Sequence, residues 1–211
     1  MLIKSNFRLG VVLWEGVSRM FEGEHAVEMH KLSDKWHDMG IKQVSWGYAG
    51  HSAKTQLDLE KINPSYFVRY ADGAFCDGGF GGGKYYVDPT NPDAMSWWKE
   101  KYYKHRFAGE NDKSAPGAWN LDGIKIDFCE LFPKEDSDLL ILNKNVAMHN
   151  QHSVLFSKQI YDWLEDIKPD KGITWVRGGG LGIQTVGFSW GGDRGRSFEQ
   201  MRGTVAASLG I

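Results

Sequence analysis

Short β-branched or aromatic runs alternate with amphipathic helical segments, and this pattern is what most constrains the fold of the chain. Such alternation is typical of repeated strand-helix units built around a parallel sheet. The runs that predict strands are Leu9–Trp14, Ile41–Tyr48, Gly123–Phe128, Ile173–Arg177 and Val186–Trp190. A closed (β/α)8 TIM barrel has eight strands and about 250 residues. Five strands in 211 residues predict an α/β fold with a parallel sheet, and a (β/α)8 barrel built from them would be partial.

Four segments carry the periodicity of helices together with start or stop signals. Gly40 supplies a left-handed stop after the first, and Asn91 followed by Pro92 starts the second. Pro169 discourages continuation of the third, and Ser197 with Gln200 forms a capping box at the start of the fourth. The predicted helices are residues 27–39, a helix from Pro92, residues 151–167 and a helix after Ser197.

Two further patterns concern surfaces of the predicted fold. The last helix carries an apolar stripe made of Phe198, Met201, Val205 and Leu209. The segments Ala71–Lys84 and Ala108–Asn120 are rich in glycine or polar residues and are predicted to be loops at the rim of the barrel. An unclosed barrel leaves apolar surface exposed, so self-association is expected.

Composition excludes several classes of partner. The chain is 41% hydrophobic and 25% charged, with a net charge of −2, which predicts one domain over residues 1–211. Its 25 Lys and Arg against 27 Asp and Glu leave no basic surplus, so no nucleic-acid partner is expected. No stretch reaches membrane-spanning length and no signal-peptide pattern occurs, so we expect no membrane partner and a cytoplasmic location. Cys76 and Cys129 are predicted to be free thiols.

Two motif-like clusters do not support a nucleotide or metal site. The segment GGFGGGK from Gly78 to Lys84 lacks the hydroxyl residue of a phosphate-binding loop, because Tyr85 stands in its place. His149 and His152 are three residues apart, but no carboxylate or cysteine at matching spacing completes a metal site. Capping or surface roles are the interpretation for this histidine pair.

Two aspartates end strand-like runs: Asp127 in LDGIKIDFCE and Asp193 in TVGFSWGGD. Aspartates after strands often only cap the next turn, but these two have unusual neighbours. Lys125 shares the strand face of Asp127, Arg177 ends the strand between the two aspartates, and Trp190 precedes two glycines and Asp193. Parallel barrels place catalytic groups at the carboxyl ends of their strands. The cluster indicates acid/base or nucleophile chemistry on a ligand that an aromatic ring can stack on.

Several motifs around these residues resemble glycoside hydrolase family 31 in collinear order. The segment DGIKIDFCELFP is similar to the nucleophile segment of the family, and VDPTNPDAMSWW is similar to the stretch that precedes it. MHN at residues 148–150, RGGGLGIQ at residues 177–184 and WGGD at residues 190–193 resemble three further family motifs. The resemblance extends from about Gly40 to Ile211. Chance matches of several ordered motifs are improbable, even though each motif alone is weak.

The resemblance implies a role for each matching position. Asp127 corresponds to the nucleophile and Asp193 to the general acid/base. Lys125 and Arg177 correspond to residues that line the sugar subsite, with Trp190 and Trp46 as ring contacts. The implied activity is retaining hydrolysis of an α-linked glycoside or oligosaccharide through a covalent glycosyl-enzyme intermediate, with no metal or organic cofactor.

The resemblance also implies a chain shorter than the family barrel. The family continues past the segment SLGI to two more strands, and the strand at Leu9–Trp14 corresponds to either the first or the second family strand. Residues 1–211 are therefore expected to be a single, incomplete catalytic barrel domain. Two alternatives to an active glycosidase remain open: a truncated, inactive fragment with weak carbohydrate binding, and another carboxylate-using barrel enzyme.

Overall fold

The computed structural model of the protein describes residues 8–13, 24–53, 56–70, 72–76, 84–108, 118–129, 139–140, 148–193 and 195–209. The strands are β1 (Arg8–Leu13), β2 (Ile41–Tyr48), β3 (Gly50–Ser52), β4 (Arg69–Tyr70), β5 (Lys84–Tyr86), β6 (Gly123–Asp127), β7 (Leu139–Leu140), β8 (Ile173–Val176) and β9 (Phe188–Ser189). The helices are α1 (Glu24–Asp38), α2 (Gln56–Ile62), α3 (Pro92–Trp98), α4 (Lys104–Phe107), α5 (Met148–Ile167) and α6 (Phe198–Ser208). A π-helical turn, Lys99–Tyr103, joins α3 to α4, and 3-10 turns span Pro64–Tyr66 and Ile183–Thr185.

Five strands form one sheet in the order β1-β2-β6-β8-β9. Strand β1 pairs in parallel with β2, and β8 pairs in parallel with β9. Helix α1 lies between β1 and β2 in the chain, and α5 lies between β6 and β8. Helices between neighbouring parallel strands are the repeating unit of a (β/α)8 barrel. Within the described residues, β1 and β9 are the two ends of this sheet, and the structure confirms the prediction of a partial barrel.

The predicted strands are found, the first four with bounds within one residue of those expected and the fifth with a larger difference. The fifth was expected over Val186–Trp190, but β9 contains only Phe188 and Ser189. The amide of Val186 instead donates to the carbonyl oxygen of Ile183 and closes the preceding 3-10 turn. Gly187 then has a φ of +120°, and a Cβ at this position would lie 2.2 Å from the carbonyl oxygen of Thr174. The expected length was wrong because a turn occupies its first two positions.

The helix signals are confirmed by the geometry of the helix ends. Gly40 has a φ of +72° directly after α1. The side-chain oxygen of Asn91 accepts hydrogen bonds from the amides of Asp93 at 3.0 Å and Ala94 at 3.3 Å. At α6, the Ser197 hydroxyl oxygen accepts from the amide of Gln200 at 3.2 Å. These contacts satisfy amide groups that a helix start would otherwise leave unpaired.

The chain divides into two compact units, each made of three segments. One contains residues 1–47, 96–125 and 162–173. In this unit the ring of Trp98 stacks on Trp163 with centroids 6.3 Å apart, and Tyr103 meets the same ring edge-on at 5.4 Å. Lys99 covers Trp163 with its ammonium group 5.1 Å from the ring centroid. Aromatic packing therefore joins the helices of this unit.

The second unit contains residues 48–95, 126–161 and 174–211. Two antiparallel pairs, β3 with β5 and β4 with β7, belong to it. Its buried residues include Leu59, Val87, Phe156 and Val186. The apolar stripe predicted for α6 lies on that helix but is exposed, with Phe198 78% and Leu209 83% accessible. This exposure leaves the expected self-association as a prediction.

Other sequence expectations fall partly outside the described residues. Cys76 and Cys129 are thiols outside any disulfide bond, as predicted, and both are buried. Within the described ranges, no helix is long and apolar enough to cross a membrane. The glycine-rich run at residues 78–83 and most of the loop predicted at residues 108–120 lie outside those ranges.

Candidate active site

The predicted catalytic residues lie at the ends of neighbouring strands. Asp127 is the last residue of β6, Arg177 follows β8 directly, and the segment from Trp190 to Asp193 follows β9. Parallel strands of one sheet present their carboxyl ends at the same edge. The backbone amide of Arg177 donates to the carbonyl oxygen of Ile126, and that of Trp190 donates to Val176. Ladder hydrogen bonds therefore hold the three strand ends together.

One guanidinium group contacts both aspartates. Arg177 Nη1 donates to Asp127 Oδ1 at 3.1 Å and lies 3.9 Å from Asp193 Oδ2. Because both distances start at one nitrogen, the two carboxylate oxygens are separated by at most about 7 Å. The two aspartates differ strongly in environment: the Asp127 side chain is 5% exposed and that of Asp193 is 83% exposed. The strand ends thus bring a buried and an exposed carboxyl group to the same cation.

Two aromatic rings hold the Arg177 side chain. Its guanidinium carbon lies 4.6 Å from the centroid of the Phe128 ring and 5.9 Å from that of Trp190. The Trp190 ring is itself held edge-on against Trp175 at 5.8 Å. Cation-π contacts of this kind stabilise a guanidinium group and restrict its orientation. Arg177 is therefore a fixed part of the site and not a solvated surface residue.

A cavity of about 580 Å³ opens beside these residues. This volume lies within the range of about 300–1,000 Å³ that small-ligand sites occupy. The lining residues come from the ends of β8 and β9, the 3-10 turn and α6, and they are Arg177, Gln184, Gly187, Ser189, Trp190, Gly191, Gly192, Asp193, Ala207 and Ser208. The cavity has room for a sugar ring next to the acidic group of Asp193 and the indole of Trp190.

The two glycines before Asp193 are required by the backbone. A Cβ on Gly191 would lie 2.6 Å from Thr204 Cγ2 of α6, and Gly192 has a φ of +75°. Larger residues would displace the turn or strain it. Packing against α6 therefore requires glycine at position 191, and the left-handed backbone favours it at position 192.

Four of the six predicted site residues form this cluster: Asp127, Arg177, Trp190 and Asp193. Lys125 lies in β6 two residues before Asp127 and is partly exposed. Trp46 lies in β2, is 4% exposed, and its carbonyl oxygen accepts a hydrogen bond from Arg106 at 3.5 Å. The substrate-contact roles of Lys125 and Trp46 stay predictions.

Sequence reasoning missed two residues next to the nucleophile position. Phe128 adopts a φ of +58°, and its amide donates to Asp127 Oδ1 at 3.1 Å. The Tyr86 hydroxyl donates to the carbonyl oxygen of Phe128 at 2.9 Å. Phenylalanine gives no local signal for a left-handed backbone, and Tyr86 is 42 residues away in the chain.

No arrangement typical of a metal centre is found in the described part of the chain. A search for three or more grouped His, Cys, Asp or Glu side chains gave none there. The surface role expected for His152 was wrong. This residue is fully buried, with Nε2 3.3 Å from the carbonyl oxygen of Val87. The side chain of His149 lies outside the described residues.

Comparison with known proteins finds relatives by sequence and by fold. An α-xylosidase of Emericella nidulans is 25% identical over 178 residues, which is 82% of this chain and 21% of that protein. A family 31 sulfoquinovosidase from E. rectale, solved with an aza-sugar inhibitor, has a TM-score of 0.62 and 26% identity over 79% of this chain and 24% of its own. An uncharacterized protein of Listeria monocytogenes EGD-e, solved with glucose, magnesium and calcium, shares the fold with a TM-score of 0.70. It is 22% identical over 90% of this chain and 18% of its own.

The chain spans about a fifth of the length of the curated relatives that it matches. The Glycosyl hydrolases family 31 TIM-barrel domain matches residues 16–211, which is nearly the whole chain. That match includes both strand-end aspartates and the arginine between them. The chain therefore belongs to glycosyl hydrolase family 31.

Proposed function

We propose that the chain carries the catalytic centre of a retaining α-glycosidase, with Asp127 as the nucleophile and Asp193 as the general acid/base. The observation that carries the proposal is the placement of Arg177 Nη1 between the two carboxylates, at 3.1 and 3.9 Å. Retaining enzymes separate their carboxyl groups by about 5–5.5 Å, and inverting enzymes by about 6.5–9.5 Å. The upper bound of about 7 Å that the shared nitrogen sets for the separation of Asp127 Oδ1 and Asp193 Oδ2 is compatible with the retaining distance.

The environment of Asp127 fits its role. Asp127 is buried and accepts hydrogen bonds from Arg177 and from the Phe128 amide, both of which favour its carboxylate form. Asp193 lines the cavity and is exposed, so a leaving-group oxygen and then a water molecule have access to it. A nucleophile must stay ionised while its partner supplies a proton.

Hydrolysis then proceeds in two displacements. The Asp127 carboxylate attacks the anomeric carbon, Asp193 gives its proton to the glycosidic oxygen, and the bond between that carbon and oxygen breaks. In the second displacement, the Asp193 carboxylate takes a proton from water. The resulting hydroxide attacks the anomeric carbon and breaks the ester bond to Asp127. Lys125, Trp46, Arg177 and Trp190 hold the sugar in these steps.

The proposed substrate is an α-linked glycoside or oligosaccharide. Two curated relatives are named α-xylosidases, so an α-xyloside is the first candidate, with α-glucosides and sulfonated glycosides next. The Trp190 ring beside a cavity of about 580 Å³ suits a pyranose ring. The single catalytic domain and the cytoplasmic location both stay predictions from the sequence.

A second candidate function is carbohydrate binding without turnover. The observation that favours it is the main sheet of the described residues, in which β1 and β9 are edge strands. In this alternative the chain is an inactive member of the family with weak affinity for sugars.

Turnover of aryl α-xylosides and α-glucosides by the purified chain distinguishes the two candidates. We expect Asp127→Asn and Asp193→Asn each to lower kcat by at least about 10²-fold, because each removes a catalytic carboxyl group. Asp166→Asn, an exposed carboxylate of α5, is the matched control and should act like the parent. Equal turnover by parent and both site variants would overturn the assignment. No turnover by the parent would favour the binding fragment.

A further inference from the structure

Tyr86 is a buried tyrosine outside the predicted site, and its hydroxyl reaches the backbone next to Asp127. The side chain is among the largest fully buried ones of the described residues, with 1% exposure. Its hydroxyl donates to the carbonyl oxygen of Phe128 at 2.9 Å. A hydroxyl buried this deeply needs a partner of this kind.

Phe128 holds an unfavourable backbone conformation. Its φ of +58° lies in the left-handed region, which is unfavourable for a residue with a Cβ. Such strain persists only where surrounding contacts determine the conformation, and it concentrates at functional sites. The hydrogen bond from Tyr86 to the carbonyl of the same residue is a contact of this type.

The left-handed turn at Phe128 orients two groups, an amide and a guanidinium group, toward the Asp127 carboxylate. It directs the Phe128 amide to Asp127 Oδ1 at 3.1 Å. It also places the Phe128 ring 4.6 Å from the guanidinium carbon of Arg177, whose Nη1 donates to the same Oδ1 at 3.1 Å. The amide and the guanidinium group therefore converge on one carboxylate oxygen because of the conformation of one residue.

The Tyr86 ring is fixed by packing against α5. It packs edge-on against His152 with centroids 5.1 Å apart and planes at 72°. His152 is fully buried in α5, and its Nε2 lies 3.3 Å from the carbonyl oxygen of Val87. Pairing of β5 with β3 fixes the Tyr86 backbone opposite Gly50. Little freedom remains for the hydroxyl to leave the Phe128 carbonyl.

We propose that Tyr86 is a positioning residue for Asp127: its hydroxyl holds the left-handed turn at Phe128 and so orients the nucleophile. The proposal rests on the proposed function, in which Asp127 attacks the anomeric carbon. Attack requires the carboxylate oxygen and the carbon in close alignment, and a misplacement of about 1 Å costs about 10²-fold in rate. Tyr86 acts through Phe128, whose carbonyl oxygen accepts the hydrogen bond from its hydroxyl.

The test compares Tyr86→Phe with Tyr85→Phe in the same chain. Tyr85 is the neighbouring residue of β5, is 7% exposed, and its ring lies 6.3 Å from that of Phe75. Both variants lose one hydroxyl from a buried strand. We expect Tyr86→Phe to lower kcat on an aryl α-glycoside at least about tenfold, the factor that one lost hydrogen bond represents, with KM within about twofold. Tyr85→Phe should retain the parent kcat.

A second measurement does not depend on turnover. It is the exchange rate of the Phe128 amide hydrogen, which NMR monitors. We expect this amide to exchange at least about tenfold faster in Tyr86→Phe than in the parent, and at the parent rate in Tyr85→Phe. Equal exchange in parent and Tyr86→Phe, or an equal loss of kcat in both variants, would overturn the proposal. If the parent itself has no turnover, the glycosidase assignment fails, while the exchange rates still decide whether Tyr86 holds the turn.

Discussion

At the scale of single residues, Arg177 contacts both the proposed nucleophile and the proposed acid/base. Its Nη1 lies within 4 Å of both aspartates, and its planar group rests between the rings of Phe128 and Trp190. A guanidinium group suits this position because it combines several fixed donors with a flat face. An ammonium group has neither property.

We therefore expect Arg177→Lys to lower kcat/KM by at least about tenfold, although charge is conserved. Lysine provides a point charge that cannot contact both carboxylates and stack on Phe128 at once. Arg202→Lys is the control, since Arg202 is an exposed residue of α6. Steady-state kinetics on an aryl α-glycoside measures both. Parent-like kcat/KM in Arg177→Lys would show that charge alone is needed there.

Residue types alone predicted part of this site and not the rest. Asp127, Arg177, Trp190 and Asp193 could be found because each follows a run with strand periodicity, and strand ends converge in a parallel sheet. The turn at Phe128 could not be found, because aromatic residues rarely adopt a positive φ and the group that holds it, Tyr86, lies 42 residues earlier. Contacts that are distant in sequence leave no periodic signal.

At the scale of secondary-structure elements, Asp122 joins three elements at the start of β6. It accepts hydrogen bonds from His37 of α1 at 2.8 Å, from the Lys42 ammonium group at 2.8 Å and from the Gln43 amide of β2 at 2.9 Å. Burial raises the pKa of this carboxyl, but the hydrogen bonds from Lys42, Gln43 and His37 outweigh burial and lower it below its usual value. The carboxylate form is thus the one that holds these elements together.

This lowered pKa gives a pH dependence of stability. Because the pKa is lower in the folded state than in the unfolded state, the contribution of Asp122 is complete above the unfolded value of about 3.8 and is lost as pH falls through the folded value. We expect Asp122→Asn to lower the free energy of unfolding at pH 7 by about 1–3 kcal/mol. The difference from the parent should shrink below pH 4.

Urea unfolding across this pH range measures the effect. Asp58→Asn is the control, because Asp58 forms an exposed pair with Lys61 at 3.5 Å and such pairs contribute little. A pH-independent difference between parent and Asp122→Asn would contradict the role of the carboxylate.

The positions of helix ends could be predicted from the sequence more closely than the exposure of helix faces. Gly40 and Ser197 marked a helix end and a helix start because caps are local chemistry, and both are found as predicted. The apolar stripe of α6 was also placed correctly, but its exposure was not apparent from periodicity. An amphipathic pattern indicates which face of a helix is apolar. It does not indicate whether another part of the protein covers that face.

At the scale of the whole molecule, family membership and strand order agree. The match over residues 16–211 and the sheet order β1-β2-β6-β8-β9 both describe part of a (β/α)8 barrel. The end of β6 and the end of β9 each contribute one carboxyl group, and the end of β8 contributes the cation between them. In the proposed function, hydrolysis at the carboxyl ends of these strands proceeds through a covalent glycosyl-enzyme intermediate on Asp127.

Trapping that intermediate tests the claim most directly. A 5-fluoro-α-glycosyl fluoride forms the ester with the nucleophile but slows its hydrolysis, so mass spectrometry of the intact protein and its peptides locates the label. The proposed function predicts one fluoroglycosyl group per chain, on Asp127, and no label in Asp127→Asn. A label on a different residue, or an unlabelled protein that still hydrolyses the aryl α-glycoside, would contradict it.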